Sequence, residues 1–510
     1  MGRIVVLKFG GTIVGADQRV EPTMDEAASL MDSHLAAGDF VVPVFSALRR
    51  AGGASGPGFS ITDTLLDYRN IILGRESLAA GEKRFRESLA APHREMIEAL
   101  GLDHAGDLPM EIEALVDEAA QKAVHFAQAP VSPGHNDLLA HLGEIFSTTI
   151  IAAYLNLRNR EGAFRLPVEP ASGGDLGIVT DSAFGEAAIL DKSMRFIPRA
   201  ISAFYGRKVV PIVSGYNGIT SIREGDRKLK YVTTLGRHGS DLTATYIAFA
   251  LHKSMFQAVG RPSAERAWDD VQVYLVKETE GVLSADPKIV GDRAVRIPYL
   301  PYALAIEAGN VQARAIGPIR RAGMELRLFN PRNPDKVTIV GPRDLREGLY
   351  LILEPAEAVY LQIETVPDYP GALSEFIQHF GRFGVNIAEV HHEHSNTALV
   401  LDGGLDHVGS LCGYLREKGY QVEASAAYLL RVIGNTSPEH MAPFNALIDQ
   451  YRPLKYAIWE RGSRALTCVI PRGGINPAEV VGEIHDKFIL PGIGPDGTVQ
   501  GEGIPEEVEG

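Results

Sequence analysis

Between Arg3 and Gly11 the chain reads RIVVLKFGG, a nearly continuous apolar run that stops at two glycines, and DFVVPVFSA repeats the pattern from Asp39 to Ala47. Short apolar runs rich in β-branched residues predict buried strands. The intervening TMDEAASLMDSHLAAG has helical spacing and closes on a glycine, so the chain is predicted to open with a β-α-β unit. The glycine-rich AGGASGPGFS reads as a mobile loop, and Asp67 to about Tyr154 as mainly helical. KVVPIVSGY, VQVYLVKE and MELRLFN supply further strands, separated by helical patterns such as the one after Asp241. The predicted architecture is an α/β domain with a mostly parallel sheet.

Around Pro342 to Glu357 the pattern changes. LYLILE, AVYLQIET, TALVLDG, AYLLRVIG and ALTCVIP are short strands, while ALSEFIQHFGRFG and NPAEVVGEIHDKF are amphipathic helices. The order strand, helix, strand, strand, helix occurs twice in some form, which predicts two small α+β, ferredoxin-like modules. The expected boundaries are 1–342 for the α/β domain and 343–490 for the pair of modules. The first module covers about 357–427 and is inserted in the second, about 347–355 plus 428–490, and 491–510 reads as a flexible acidic tail.

Composition narrows the function classes. With 510 residues, 45% of them hydrophobic, the chain can bury two or more cores. A net charge of −14 argues against nucleic acid as a partner, so any phosphate site must gather positive charge locally. Two cysteines, Cys412 and Cys468, are too few for a disulfide framework and read as buried thiols. No secretory signal is recognisable, and no run approaches the roughly 18 apolar residues of a membrane span, so a cytoplasmic location and no membrane partner are expected.

Two segments carry candidate chemistry. Lys8 stands where the first strand gives way to Gly10-Gly11-Thr12, which brings an ammonium and exposed amides to one place, as a transferring phosphoryl group requires. From KFGG alone, a surface lysine beside an ordinary turn is an equal reading. Gly236-Arg237-His238-Gly239-Ser240-Asp241 leads directly into an Ala-rich helix. An arginine and an aspartate four residues apart there can hold opposite ends of a zwitterion, or be a cap and its neighbour. GIGPDG, Gly492 to Gly497, fits G-x-G-x-x-G but lacks the flanking strand and helix of a dinucleotide site. HHEH, His391 to His394, reads as the polar face of a strand before it reads as a metal site. No Walker-type phosphate loop occurs.

KFGGT, VFSA, LGEIFSTTIIAAYL, TDSAFGEA, TTLGRHGSD, GVLSADP and RLFNPRNP, in this order and spacing, resemble the aspartokinases of the amino-acid kinase family across nearly the whole chain. The resemblance implies a three-layer α/β sandwich for the first domain, and the C-terminal modules resemble that family's tandem ACT regulatory region. The resemblance implies ATP-dependent phosphorylation of the L-aspartate side chain to 4-phospho-L-aspartate, the first step toward lysine, threonine and methionine, with ATP and Mg²⁺ required and no dedicated protein cage for the metal. It implies catalytic roles for Lys8, Gly10, Gly11 and Asp241, with Lys8 and the glycines facing the ATP phosphates. Substrate would be bound by Thr12, Ser46, Thr62, Glu144, Arg237, Gly239 and Ser240. Within these, Arg237 clamps the carboxylate and Glu144 meets the ammonium. VKETEGVLSADP resembles the nucleotide segment, which implicates Lys277, Glu278, Gly281, Asp286 and Pro287. In the modules, Asp368, Pro370, Gly371, Asn386 and Ile387 would hold a feedback effector, lysine or threonine, and the modules would pair to make a homodimer.

Several positions depart from the family's pattern. Ile13 replaces the usual serine after KFGGT, His238 stands where glycine is usual, and Lys277-Glu278 replaces a customary Thr-Asp. The usual His-Pro before the last kinase helix is missing from GNVQARAIGP. A kinase acting on a different amino acid or small carboxylate, and an inactive amino-acid sensor, therefore stand as alternatives.

Overall fold

The computed structural model describes residues 2–13, 23–50, 58–74, 77–225, 227–257, 268–277, 279–345, 347–364, 369, 371–393, 396–435, 438–454 and 464–493. They divide into two compact units. The first is Met1–Gly281 with Val311–Pro342, and the second is Val282–Asn310 with Arg343–Gly510. Val282–Asn310, expected in the α/β domain, thus groups with the C-terminal unit. The physical reason is local: Ile352 N–H donates to Ser284 O at 2.8 Å, and the buried Ser284 hydroxyl lies 2.8 Å from His485 Nε2.

In the first unit, β1 (Arg3–Phe9), β2 (Phe40–Phe45), β3 (Val168–Ser172) and β4 (Val210–Ser214) are followed by a hairpin of β5 (Asn217–Glu224) and β6 (Arg227–Thr234). Then come β7 (Asp270–Val276), β8 (Leu326–Phe329) and β9 (Thr338–Gly341). Within this unit the strands of the central sheet run β9-β8-β7-β1-β2-β4-β3. Every pair in it is parallel except β8 with β9. A parallel sheet is covered on both faces, which is why the strands read as unbroken apolar runs and why Ile4 to Leu7 are buried. The sequence reading missed the β5–β6 hairpin, whose mixed polar residues carry only weak alternation.

Helix α1 (Met24–Ala36) begins with a capping box: Glu26 N–H donates to the Thr23 hydroxyl, and Thr23 N–H donates to the Glu26 carboxylate. Helices α2 (Leu142–Arg160) and α3 (Gly239–Gln257) are interior; every residue from Ser240 to Leu251 is buried. The helical stretch Pro133–Arg160 is long and apolar enough to cross a membrane by length and composition, contrary to the sequence expectation, and 78% of its most apolar window is buried.

From β1 the chain moves to one side of the sheet, through β2, and later returns to the other side at β7. In open α/β sheets, such a point beyond the carboxyl ends of the strands is where ligands bind.

The second unit holds β10 (Gly348–Ile352), β11 (Ala356–Glu364), β12 (Ile387–Glu393), β13 (Asn396–Asp402), β14 (Gln421–Asn435) and β15 (Ala465–Pro471). The strands β14-β11-β13-β12 are antiparallel neighbours, with α4 (Ala372–Arg382) and α5 (Leu405–Glu417) in the connections, a ferredoxin-like order. Val359, Leu361, Phe376, Phe380, Leu399 and Leu411 form part of its core. The long β14 is shared: Gln421 to Leu429 pairs with β11, while Val432 to Asn435 pairs with β10 and Ala427 to Ile433 with β15. LYLILE thus lies against the half of β14 that also pairs with β15. Cys412 and Cys468 are both buried, and burial pushes the Cys468 thiol up to about 12.

Candidate active site

The carboxyl ends of the parallel strands are held close by backbone contacts. Ser46 N–H donates to Phe9 O at 3.3 Å, Arg49 N–H to Gly11 O at 3.1 Å, and Gly215 N–H to Phe45 O at 3.0 Å. Gly11 is required by this packing, because a Cβ there would lie 2.0 Å from Ala47 O. At the start of α2, a Cβ on Gly143 would lie 2.9 Å from the Ala47 Cβ. The absent side chain lets the helix deliver the next residue, Glu144, to the same place.

Lys8, the penultimate residue of β1, is the centre of the charge distribution. Its Nζ lies 2.8 Å from Oδ1 of Asp241, in the first turn of α3, and Lys277 Nζ lies 4.0 Å from Oδ2 of the same carboxylate. Burial alone would raise the Asp241 pKa, but Lys8 and Lys277 outweigh it and hold the group below its ordinary value. Asp241 is therefore an anion at neutral pH. Glu144 behaves in the opposite way. It is buried, and desolvation pushes its carboxyl up to about 8, against the opposing effects of the Ala47 N–H and the Lys8 charge. Its Oε2 has no hydrogen-bond partner. Such an atom awaits a cation or donor.

The loop between β6 and α3 is fixed from two sides. Asp137, which the sequence reading did not single out, is buried and accepts from Thr234 N–H at 2.8 Å, Thr234 Oγ1 at 2.9 Å and Gly185 N–H at 3.0 Å. Burial raises its pKa in spite of these donors. Arg314 Nη1 donates to Leu235 O at 2.8 Å and Nη2 to Ala187 O at 3.0 Å. Arg237, two residues beyond Leu235, is exposed on this anchored loop. Tyr216 is a second residue the sequence reading missed; only its place in SGYNG at a strand end hinted at it. Its backbone has φ 71°, its N–H donates to Thr243 Oγ1 at 3.1 Å, and its phenol bonds to the Thr234 side chain. Burial, and the acidic groups Glu144, Asp137 and Asp63, push that phenol up to about 12.

Of the residues expected for phosphate and substrate, Lys8, Glu144 and Asp241 interact electrostatically. Gly10, Gly11 and Thr12 continue from Lys8, and Ser46 lies at the knitted end of β2. Gly239 and Ser240 open α3. Thr62 sits in the short helix Ile61–Leu66, whose cap is Ser60, accepting from Asp63 N–H at 3.2 Å.

The nucleotide candidates are spread more widely. Lys277 reaches Asp241. Gly281, at φ 79°, packs against Thr338. Asp286 and Pro287 fall in the second unit, where the Asp286 carboxylate accepts from Lys288 N–H at 2.8 Å and caps a short helix. Glu278 lies outside the described residues.

Among the effector candidates, Asp368 and Pro370 also lie outside the described residues. Asn386 and Ile387 line a cleft of about 430 Å³ with Glu389, Asp402 and Arg431, whereas Gly371, at φ 94°, starts α4 and is not part of that lining. Within HHEH, His392 Nδ1 lies 2.8 Å from Thr397 Oγ1, and His394 is outside the described residues.

The sheet order and the charged groups gathered at its carboxyl edge define an open α/β domain, accompanied by ferredoxin-like modules. Residues 3–258 match the amino acid kinase family, and the chain belongs to it. It is 25% identical to aspartokinase 1 of Arabidopsis thaliana over 419 residues, 79% of this chain and 64% of that protein. It is 26% identical to an aspartokinase of Thermus thermophilus over 261 residues, 49% of this chain and 55% of that protein. The matches thus span less than two thirds of these relatives. The fold is similar to that of E. coli aspartokinase III in complex with lysine and aspartate, with a TM-score of 0.68, 20% identity, and 95% of this chain and 99% of that one covered. The complex of the same enzyme with aspartate and ADP gives a TM-score of 0.63 at 21% identity, with the same coverage.

Proposed function

We propose that this chain transfers the γ-phosphoryl group of ATP to the side-chain carboxylate of L-aspartate, giving 4-phospho-L-aspartate and ADP. The observation that carries the reading is the group of four ionisable side chains at the strand ends: Lys8 bound to Asp241, Lys277 beside them, and a buried Glu144 whose Oε2 has no hydrogen-bond partner, within reach of the Lys8 charge. The similarity to aspartokinases supports the same reading.

A carboxylate is already nucleophilic at neutral pH, so the acceptor needs no strong base. Its oxygen forms the new bond to γ-phosphorus as the bond to the bridging oxygen of ADP breaks. Lys8 and the amides after it offset charge on the transferring oxygens, and most of the acceleration comes from this positioning and neutralisation. Asp241 orients Lys8. Arg237 grips the α-carboxylate through its planar fork, and Glu144 accepts the substrate ammonium. Among the described residues no group of three or more His, Cys, Asp or Glu side chains is arranged to hold a metal. Mg²⁺ would enter with the nucleotide and would offset charge on its phosphates.

The C-terminal unit is the place of feedback, with lysine or threonine as effector and Asn386 and Ile387 among its contacts. Its modules pair in a cytoplasmic homodimer. Ile13 and His238 favour a second reading, in which another small amino diacid is the true acceptor. A hydroxylamine trap with MgATP and a panel of amino diacids separates them. Aspartyl hydroxamate formed fastest supports the first reading, another hydroxamate supports the second, and none overturns both.

A further inference from the structure

Four non-glycine residues among those described have a left-handed backbone: Lys208, Tyr216, His238 and Arg452. Lys208 and Arg452 follow helix C-termini, where this conformation is ordinary. Tyr216 and His238 do not. His238, at φ 59°, precedes a helix, and its carbonyl accepts from Asp241 N–H at 3.1 Å and Leu242 N–H at 3.3 Å. A histidine in a conformation that suits glycine is strained, and such strain persists where the surroundings and a function require the side chain.

The surroundings of the ring specify that function. It interacts with Arg237 and Asp241 on its own segment, Lys8 at the end of β1 and Lys277 beyond β7. Desolvation lowers its pKa, so the ring is neutral at neutral pH and adds no fourth positive charge to those three cations. A neutral imidazole both donates and accepts hydrogen bonds, and unlike a glycine it fills space.

We propose that His238 is an acceptor-specificity residue, whose ring, on the loop between Arg237 and Asp241, limits the length of the amino diacid held beside Lys8. This rests on the proposed function. A glycine at this position would leave the conformation relaxed, so the strain points to a role for the imidazole. A neutral ring also lets Asp241 stay with Lys8, which an imidazolium would draw away.

The test is calorimetric binding of L-aspartate and L-glutamate, which differ by one methylene, to the full chain and to His238→Gly and His238→Asn, with the nucleotide analogue AMP-PNP and Mg²⁺ present. Asparagine tolerates the left-handed region, so it controls for folding. The wild-type preference for the shorter acid falls about tenfold or more in both variants, the size expected for a methylene. AMP-PNP affinity is unchanged and the melting temperature is equal or higher. A preference unchanged within about twofold in both variants overturns the inference and leaves the kinase reading intact. Absence of any hydroxamate with the wild-type chain overturns the kinase reading instead, and loss of binding of both acids in the asparagine variant assigns His238 to folding and overturns the proposal.

Discussion

The ammonium of Lys8 lies 2.8 Å from a carboxylate oxygen of Asp241, although one residue ends the first strand and the other opens a helix more than two hundred positions later. The parallel sheet brings them together, since both β1 and the N-terminus of α3 point to the same edge. A cation held in this way is already oriented before nucleotide arrives, which is how preorganised charge accelerates a reaction.

Removing either partner should therefore act on the chemical step. Lys8→Ala is expected to lower kcat by roughly 10²–10³, the range for loss of one preorganised donor. Asp241→Asn should lower it less, because Lys8 remains but is no longer oriented. Steady-state kinetics of the two variants and of the double variant check this: the combined loss should be far smaller than the product of the single losses.

Glu144 gives a pH dependence of opposite sign to that of an ordinary carboxylate. With its pKa near 8, it is mostly protonated at pH 7 and must ionise to receive an ammonium. The acceptor KM should fall as pH rises from about 6.5 to 8.5, and binding should release protons. Glu144→Gln should raise KM and flatten the profile. The stability consequence follows from the same shift. The unfolded chain loses this proton near pH 4.5, the folded chain near 8, so rising pH through that window favours unfolding. Glu144→Gln should accordingly melt higher than the parent at pH 8. A variant that melts no higher there would contradict the raised pKa.

Gly10 and Gly11 should respond differently to the same substitution. A Cβ on Gly11 would be 2.0 Å from Ala47 O, so Gly11→Ala should lower the melting temperature as well as the activity. A Cβ on Gly10 meets nothing nearer than the Thr12 hydroxyl at 3.7 Å and the Lys8 ammonium at 4.0 Å. Gly10→Ala should keep its melting temperature and lose activity, because the methyl stands before the ammonium. Thermal melts with parallel kinetics distinguish the two.

Buried His93 and half-buried His141 should make the first unit acid-labile. Desolvation lowers His93 and His141 from 6.5 to about 4 each, against hydrogen bonds to backbone carbonyls. Their neutral burial supports the fold above pH 6.5, and that support is lost as pH falls toward 4. His93 stacks on Phe146 with ring centroids 4.4 Å apart, and its Nε2 has no partner. His93→Phe should therefore show a smaller drop in melting temperature between pH 7.5 and 5 than the parent chain.

The sequence makes β1 and β2 legible because strands buried on both faces must be apolar throughout, and Lys8 interrupts that run only at its end. Glu144, Arg237 and Asp241 were legible as a set only through the family's order of segments; singly, each passes for a cap or a solvated charge. Asp137 was not legible, since an acid inside HNDLLAH looks exposed until Thr234 and Gly185 are folded onto it. Nor was the grouping of Val282–Asn310 with the second unit, which depends on Ser284 meeting residues far along the chain. Composition likewise hides the left-handed backbone of Tyr216 and His238, because the conformation is imposed by the turn and not by the residue.

The central claim is that one site joins the Lys8 ammonium to a bound amino diacid through a transferring phosphoryl group. ³¹P NMR of the full chain incubated with MgATP and L-aspartate tests it directly. The account predicts a new acyl-phosphate resonance growing with ADP in equal amounts, strongly diminished in Lys8→Ala. An ATP spectrum unchanged by aspartate, or equal product from the Lys8 variant, would contradict it.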